Sequence, residues 1–184
     1  YARGLTGKIE GLIFRNHSIV QELPKDAEFI AAGMDFGFTN DPTTLIEVYR
    51  FNGELYLNEL LFSTGLTNQD IGNKLTALGF NKQKCIVADS AEPKSIEELR
   101  RMGFNIQPAQ KGADSVRASI DILKRFKLNI TNNSSNLKKE FMNYKWSEKD
   151  KNSPVDFYNH GIDSVRYVAL NKLANKNSGQ YSFA

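Results

Sequence analysis

Phe29-Ile30-Ala31-Ala32-Gly33-Met34-Asp35 is a short apolar run that ends in a carboxylate. Its length and composition read as a buried strand. Residues 43–51 (TTLIEVYRF) follow, rich in strand formers. Asn52-Gly53 then separates them from residues 54–62, which carry Leu55, Leu57, Leu60 and Leu61. Asn-Gly between two such runs is the strongest short hairpin signal, because a tight hairpin turn needs positive φ at both central residues. The spacing therefore predicts three consecutive antiparallel strands.

Downstream the period changes from two to 3.6. Residues 67–78 read as a helix, with Thr67 as N-cap, Ile71, Leu75 and Leu78 on one face, and Gly79 ending it. Residues 84–89 form a second short apolar strand that ends in a carboxylate, Asp89. A helix over 93–102 turns Ile96 and Leu99 inward and stops at Gly103. A strand over 104–108 and a helix over 115–126 come next, the helix with Val116, Ile120, Leu123 and Phe126 as its apolar stripe. A short strand over 128–130, a helix over 136–146, a polar loop over 149–154 and a last helix over 155–174 complete the pattern. No internal repeat is visible. A meander that feeds strand–helix units predicts an α/β fold, a mixed sheet with helices on both faces.

The organised domain is expected to span 29–174. Residues 1–28, broken by Gly4, Gly7, Gly11 and Pro24, read as a linker remnant or N-terminal extension in which 12–14 and 18–20 pair as short strands. Residues 175–184 read as a mobile polar tail. The chain lacks an initiator Met, and we expect a fragment of a longer protein.

Composition bounds the chemistry. The 184 residues suit one domain, and no apolar run approaches the ~20 residues that span a bilayer. No signal segment is expected. One cysteine, Cys85, excludes an intrachain disulfide and suits a reducing compartment. With only two histidines, His17 and His160, a Cys/His-rich zinc site is excluded as well. Cys85 sits in Cys85-Ile86-Val87-Ala88 and reads as a small buried hydrophobe. The formal charge of +3 decides little by itself.

Three aspartates occupy special places. Asp35 ends a buried strand and shares a face with Ala31 and Gly33, small neighbours that leave room beside a carboxylate. Asp89 ends a second strand, with Cys85 and Val87 on its face. Asp163 lies in His160-Gly161-Ile162-Asp163-Ser164-Val165-Arg166-Tyr167, on a polar stripe with Asp156, Asn159, His160 and Tyr167. Strand ends are where side chains escape the packed core and sites gather. Phosphodiester hydrolysis develops charge on two oxygens, which two divalent ions about 4 Å apart stabilise. Mg²⁺ or Mn²⁺ takes oxygen ligands and keeps several waters, so a few carboxylates suffice. Each aspartate also has a local reading. A strand-end Asp is commonly a turn or cap residue, and Asp89 is placed to cap the helix at 93. Asp41 reads as a turn residue and Asp114 as a helix cap.

Four stretches resemble the nuclease domain of the large terminase subunit of tailed bacteriophages. They are Gly33-Met34-Asp35-Phe36-Gly37, Val87 to Ile96 followed by Leu99-Arg100-Arg101-Met102-Gly103, Lys111-Gly112-Ala113-Asp114-Ser115-Val116, and His160 to Tyr167. Together they cover about residues 30–170. The resemblance implies a ribonuclease-H-like mixed sheet, a three-strand antiparallel meander plus parallel strands flanked by helices. It implies metal-dependent, sequence-nonspecific cleavage of concatemeric viral double-stranded DNA during packaging, in the host cell cytoplasm and away from membranes. Asp35 would bridge two Mg²⁺ or Mn²⁺ ions, with Asp89 and Asp163 each binding one. His160 matches a position beside the metals, or is a helix-surface histidine. Lys111 approaches the scissile phosphate, or solvates its loop. No G-x-x-x-x-G-K-[ST] phosphate loop is present, so the motor's ATPase domain is expected elsewhere in the full-length protein. The small terminase subunit and the portal are further implied partners.

Basic residues cluster at Arg100-Arg101, at 124–127 and, as Lys138, Lys139, Lys145, Lys149 and Lys151, around Phe141, Tyr144 and Trp146. Lysines on phosphates give sequence-independent affinity. The 138–151 region is the expected DNA-side flap, with the aromatics read as core packing. Another ribonuclease-H-like nuclease, such as a junction resolvase or transposase core, and a non-catalytic portal-docking module remain the alternatives.

Overall fold

In the computed structural model, which describes residues 11–151 and 153–174, Asn52 and Gly53 take φ of 49° and 77°. They close the expected hairpin between β3 (Thr43–Phe51) and β4 (Glu54–Ser63), and β2 (Glu28–Asp35) pairs antiparallel on the other side of β3. The meander is thus the centre of the sheet. On one side β5 (Ile86–Ala88) and β6 (Ile106–Pro108) extend it in parallel from β2. On the other, β7 (Leu128–Thr131) runs parallel to β4 and β1 (His17–Val20) parallel to β7. The strand order is β1-β7-β4-β3-β2-β5-β6.

The period-two alternation of the strands sorts two cores. Ala32, Met34, Leu45, Ile86 and Ala88 point to one face. There they bury against α1 (Asn68–Ala77) and α2 (Pro93–Arg101) through Ile71, Leu75, Ile96 and Leu99. Ala31, Ile46, Val48, Leu55, Leu57 and Val87 point to the other. That face carries α3 (Ser115–Leu123), α4 (Ser135–Asn143) and α5 (His160–Val168), which continues into a π-helical turn at Ala169–Leu173. Asp35 follows the parity of Ala31, and Asp89 that of Val87, so both carboxylates leave the sheet on the α5 side.

Several boundaries differ from the sequence reading; α3 ends at Leu123 instead of 126 and β6 begins at Ile106 instead of 104. Residues 13–20 belong to the packed unit and not to a linker. Ile13 and Phe14 are buried, Phe14 lies 5.3 Å from the Phe141 ring, and β1 covers the edge of β7 instead of pairing with residues 12–14. The free edge of β7 offers backbone hydrogen bonds that a local hairpin would not improve on. The last helix begins at His160, not 155, because Tyr158 takes a left-handed φ of 54° just before it. The helix expected over 136–146 ends at Asn143, and Lys145 and Trp146 bridge to Leu12 and Pro154 instead. The expected tail, 175–184, lies outside the described residues, as do residues 1–10. No described helix is long and apolar enough to cross a membrane.

Candidate metal centre

The parallel register of β2 and β5 sets Gly33 beside Val87 and Met34 beside Ala88. One residue further on, Asp35 and Asp89 end the two strands side by side, and the Asp89 N–H donates to the Met34 carbonyl at 3.1 Å. Helix α5 crosses above them at unusually short range. A Cβ on Gly33 would lie 1.8 Å from the Ser164 carbonyl oxygen, so only glycine admits the helix. Thr44 fixes the crossing from β3: its hydroxyl bonds the Ser164 hydroxyl at 2.6 Å and donates to the His160 carbonyl at 3.2 Å. One helical turn then separates His160 from Asp163, and a second brings Tyr167 down onto Asp35.

The carboxylates are held by named partners. Asp35, 8% exposed, meets His160 Nδ1 through Oδ2 at 3.1 Å and accepts from the Tyr167 hydroxyl through Oδ1 at 3.2 Å. Asp163 pairs with Arg166, whose Nε donates to the Ser119 hydroxyl at 2.9 Å. Asp89 pairs with Lys111, whose ammonium also lies 4.8 Å above the Tyr167 ring. Tyr167 is the hub. Burial raises its pKa first, and the negative charges of Asp35, Asp163 and Asp89 raise it further, in that order. Burial likewise pushes Asp163 up to about 6, against the pull of Arg166. His160 is raised chiefly by its hydrogen bond to Asp35, with Asp41 adding to it from 3.4 Å at Nε2.

Contacts thus link Asp35 to His160 and Tyr167, and Asp89 through Lys111 to the Tyr167 ring, while Asp163 stands on the same helix paired with Arg166. Lys138 instead donates to the Asn132 carbonyl at 2.6 Å, Lys145 lies 3.7 Å from Glu148, and Lys139 is exposed on α4. Phe141 and Tyr144 are core residues. Asp114 stands at the N-cap of α3 with φ 57° and no side-chain cap, and Asp89 accepts from the Ala91 N–H at 3.0 Å without capping α2. Sequence reasoning passed over Arg166, Asp41 as a partner of His160, and Tyr167 as more than a stripe residue. Arg166 carried a signal, three residues from Asp163 on one helix face. Asp41 carried none, since its turn reading is locally sufficient.

The donor set suits a hard divalent cation: carboxylate oxygens on two adjacent strand ends and on the helix that crosses them. Among the described residues, no group of three His, Cys, Asp or Glu side chains is gathered closely enough to form a ready three-ligand cage. A cation that keeps most of its waters needs fewer, and adjacent strand ends supply a pair.

A mixed sheet with this strand order and acidic strand ends under a crossing helix places the chain among ribonuclease-H-like domains. The family model described as the terminase RNase H-like domain matches residues 35–171, and the chain belongs to that family. The large terminase subunit of Bacillus phage SPP1 is 30% identical over 172 residues, which is 84% of this chain and 40% of that protein. The chain therefore spans well under half the length of that relative. The crystal structure of the SPP1 g2p large terminase nuclease domain with bound Mn superimposes with a TM-score of 0.72 at 23% identity, over 84% of this chain and 96% of that one. The large terminase of a thermophilic bacteriophage in complex with ADP gives 0.69 at 22% identity, over 86% of this chain and 44% of that one.

Proposed function

We propose that this domain is a metal-dependent endonuclease that cuts double-stranded DNA with little sequence preference, as the nuclease part of a longer large terminase subunit acting in viral genome packaging. The observation that carries this reading is the pairing of Asp35 and Asp89 at adjacent parallel strand ends beneath α5, the helix that carries Asp163. Membership of the terminase family and the Mn-bound SPP1 nuclease domain support it. Asp35, Asp89 and Asp163 would hold Mg²⁺ or Mn²⁺, as a pair of ions. Bound there, the ions supply the positive charge that offsets the attacking and leaving oxygens. Asp35 would serve both ions, and Asp89 and Asp163, paired here with Lys111 and Arg166, would each supply a further carboxylate. Lys111, beside Asp89, would offer its ammonium to the phosphate. His160, between Asp35 and Asp41, holds a proton at the edge of the site. Lys138, Lys139 and Lys145 contribute to the DNA track with sequence-independent phosphate contacts.

The packed unit, which takes in residues 13–20 as well as 29–174, works with an ATPase domain of the same full-length protein. The thermophilic phage's large terminase with ADP, of which this chain matches 44%, supports that arrangement. The small terminase subunit and portal are the further partners, and the host cytoplasm is the place of action.

The test is direct. Supercoiled plasmid is nicked and linearised in Mn²⁺ or Mg²⁺ and stays intact in EDTA. A strong preference for branched over linear duplex would favour a resolvase instead. Replacing Mn²⁺ by Ca²⁺ is expected to slow turnover about a hundred-fold, because the larger ion relaxes the short spacing that carboxylate pairs impose. Equal turnover in Ca²⁺ contradicts the two-ion account. His160→Ala is expected to lower turnover about ten- to a hundred-fold while DNA affinity in EDTA stays within about two-fold. A loss confined to affinity makes His160 a DNA contact instead.

A further inference from the structure

Glu140 is a carboxylate in the core. It is 2% exposed, on a face of α4 that is otherwise apolar, beside Leu137 and Phe141. Buried carboxylates are costly, and one kept in a core has something to hold. Its Oε2 accepts from the Ile162 N–H at 2.9 Å, and the Gly161 N–H lies beside the same carboxylate and lowers its pKa. These are first-turn amides of α5, which has no side-chain cap of its own at Asn159. Their orphaned donors and the positive end of the helix dipole are thus met from a different helix. The approach depends on Gly161: a Cβ there would stand 3.0 Å from Glu140 Oε2 and 3.0 Å from Leu137 Cδ1.

α4 is anchored in the same manner. Glu59 of β4 accepts from the Leu137 N–H and from Asn136 Nδ2, both at 2.8 Å, where α4 too lacks a side-chain cap. A relay of carboxylate caps therefore runs from β4 to α4 to α5. Its last link grips Gly161 and Ile162, between His160 and Asp163.

We propose that Glu140 is a positioning residue of the acidic site, which sets where His160 and Asp163 stand by capping α5 from outside. The proposal rests on the nuclease reading for the site's chemistry, and on the structure alone for the cap. A helix that starts at another residue, or tilts, moves both side chains at once relative to Asp35. A displacement of about 1 Å can cost about a hundred-fold in rate.

The charge environment offers a second readout. Burial raises Glu140 to about 7, with the Gly161 and Ile162 amides and His160 pulling it down and Asp163 pushing it up; Tyr144, at the end of α4, also faces it. A carboxyl whose folded pKa exceeds its unfolded value favours the fold fully below about pH 4.5, and that contribution is lost as pH rises through about 7. Glu140→Gln, which does not ionise, should gain melting temperature relative to wild type as pH goes from 5 to 8.

The experiment compares wild type with Glu140→Gln, Glu140→Asp and Glu140→Ala. It measures amide exchange of residues 161–165, Mn²⁺ binding by calorimetry, DNA affinity in EDTA and plasmid cleavage in Mn²⁺. Glu140→Ala should speed exchange in that turn and lower turnover about ten- to a hundred-fold, with DNA affinity within about two-fold. Mn²⁺ binding should weaken in parallel. Glu140→Gln, which keeps an acceptor at the same reach, should recover most of both losses. Glu140→Asp, one methylene short, should not, and this pair carries the test if the alanine variant does not fold. Faster exchange with unchanged turnover and Mn²⁺ binding, or no recovery in Glu140→Gln, overturns the proposal. Absence of Mn²⁺-dependent cleavage in wild type sinks the nuclease reading instead, while exchange and Mn²⁺ binding still report on Glu140.

Discussion

Asp35→Ala is expected to lose Mn²⁺-dependent cleavage by at least about a thousand-fold, with the fold intact. Asp35 ends β2, a strand paired on both sides, its side chain is the least exposed of the three aspartates, and both of its oxygens are already aimed, at His160 and Tyr167. Removing it deletes the group assigned to both ions and frees His160 from its principal partner. Stability should not fall with activity. The negative charge of Asp35 opposes ionisation of buried Asp163, so its removal relieves that repulsion in the apo protein and offsets the hydrogen bonds lost at His160 and Tyr167. Sites built for function commonly carry this kind of strain. Asp89→Ala and Asp163→Ala should lose less, because each is assigned one ion. Measured together, unchanged melting temperature and lost turnover separate a metal ligand from a structural acid. Full activity in Asp35→Ala ends the site assignment.

The second large effect concerns a residue with no side chain. Gly33→Ala is expected to destabilise the domain by about 3 kcal/mol or more, which corresponds to roughly 6–12 °C in melting temperature for a domain of this size. The new Cβ would fall 1.8 Å from the Ser164 carbonyl oxygen and 2.4 Å from its carbon, so backbone must move. The element that moves is α5, since Gly33 lies in the middle of a paired strand, flanked by β3 and β5. Cleavage should fall too, because Asp163 and His160 ride on that helix while Asp35 and Asp89 stay with the sheet. Gly161→Ala is the milder comparison: its Cβ would meet side-chain atoms of Glu140 and Leu137 at 3.0 Å, and these have some freedom to yield. A Gly33→Ala protein with wild-type melting temperature would show that α5 does not pack against β2 as described.

The contrast between these two glycines bears on what the sequence made legible. Local chemistry read well. Asn52-Gly53 named its hairpin, and the parity of Ala31, Gly33 and Asp35 predicted one face for the small residues and the carboxylate. Thr67 capped α1 as expected, accepting from the Asp70 N–H in a capping box. Asp35 and Asp89 were visible as strand-end acids, but not as neighbours, since strand order is not written in either strand. Features set by distant partners stayed hidden. The cap on the first turn of α5 comes from Glu140, on another helix far upstream, and no local pattern points to it. Asp41 looked complete as a turn residue and is also the second carboxylate beside His160. Residues 13–20 looked like a linker because their partners, β7 and the aromatics of α4, come more than a hundred residues later.

If Asp35, Asp89 and Asp163 hold the catalytic ions, crystals soaked in Mn²⁺ will show it most directly through anomalous scattering. Anomalous peaks are expected against Asp35, with Asp89 and Asp163 turned toward them and away from Lys111 and Arg166. Manganese bound only elsewhere, with Asp89 still on Lys111 and Asp163 still on Arg166 at saturating metal, would contradict it.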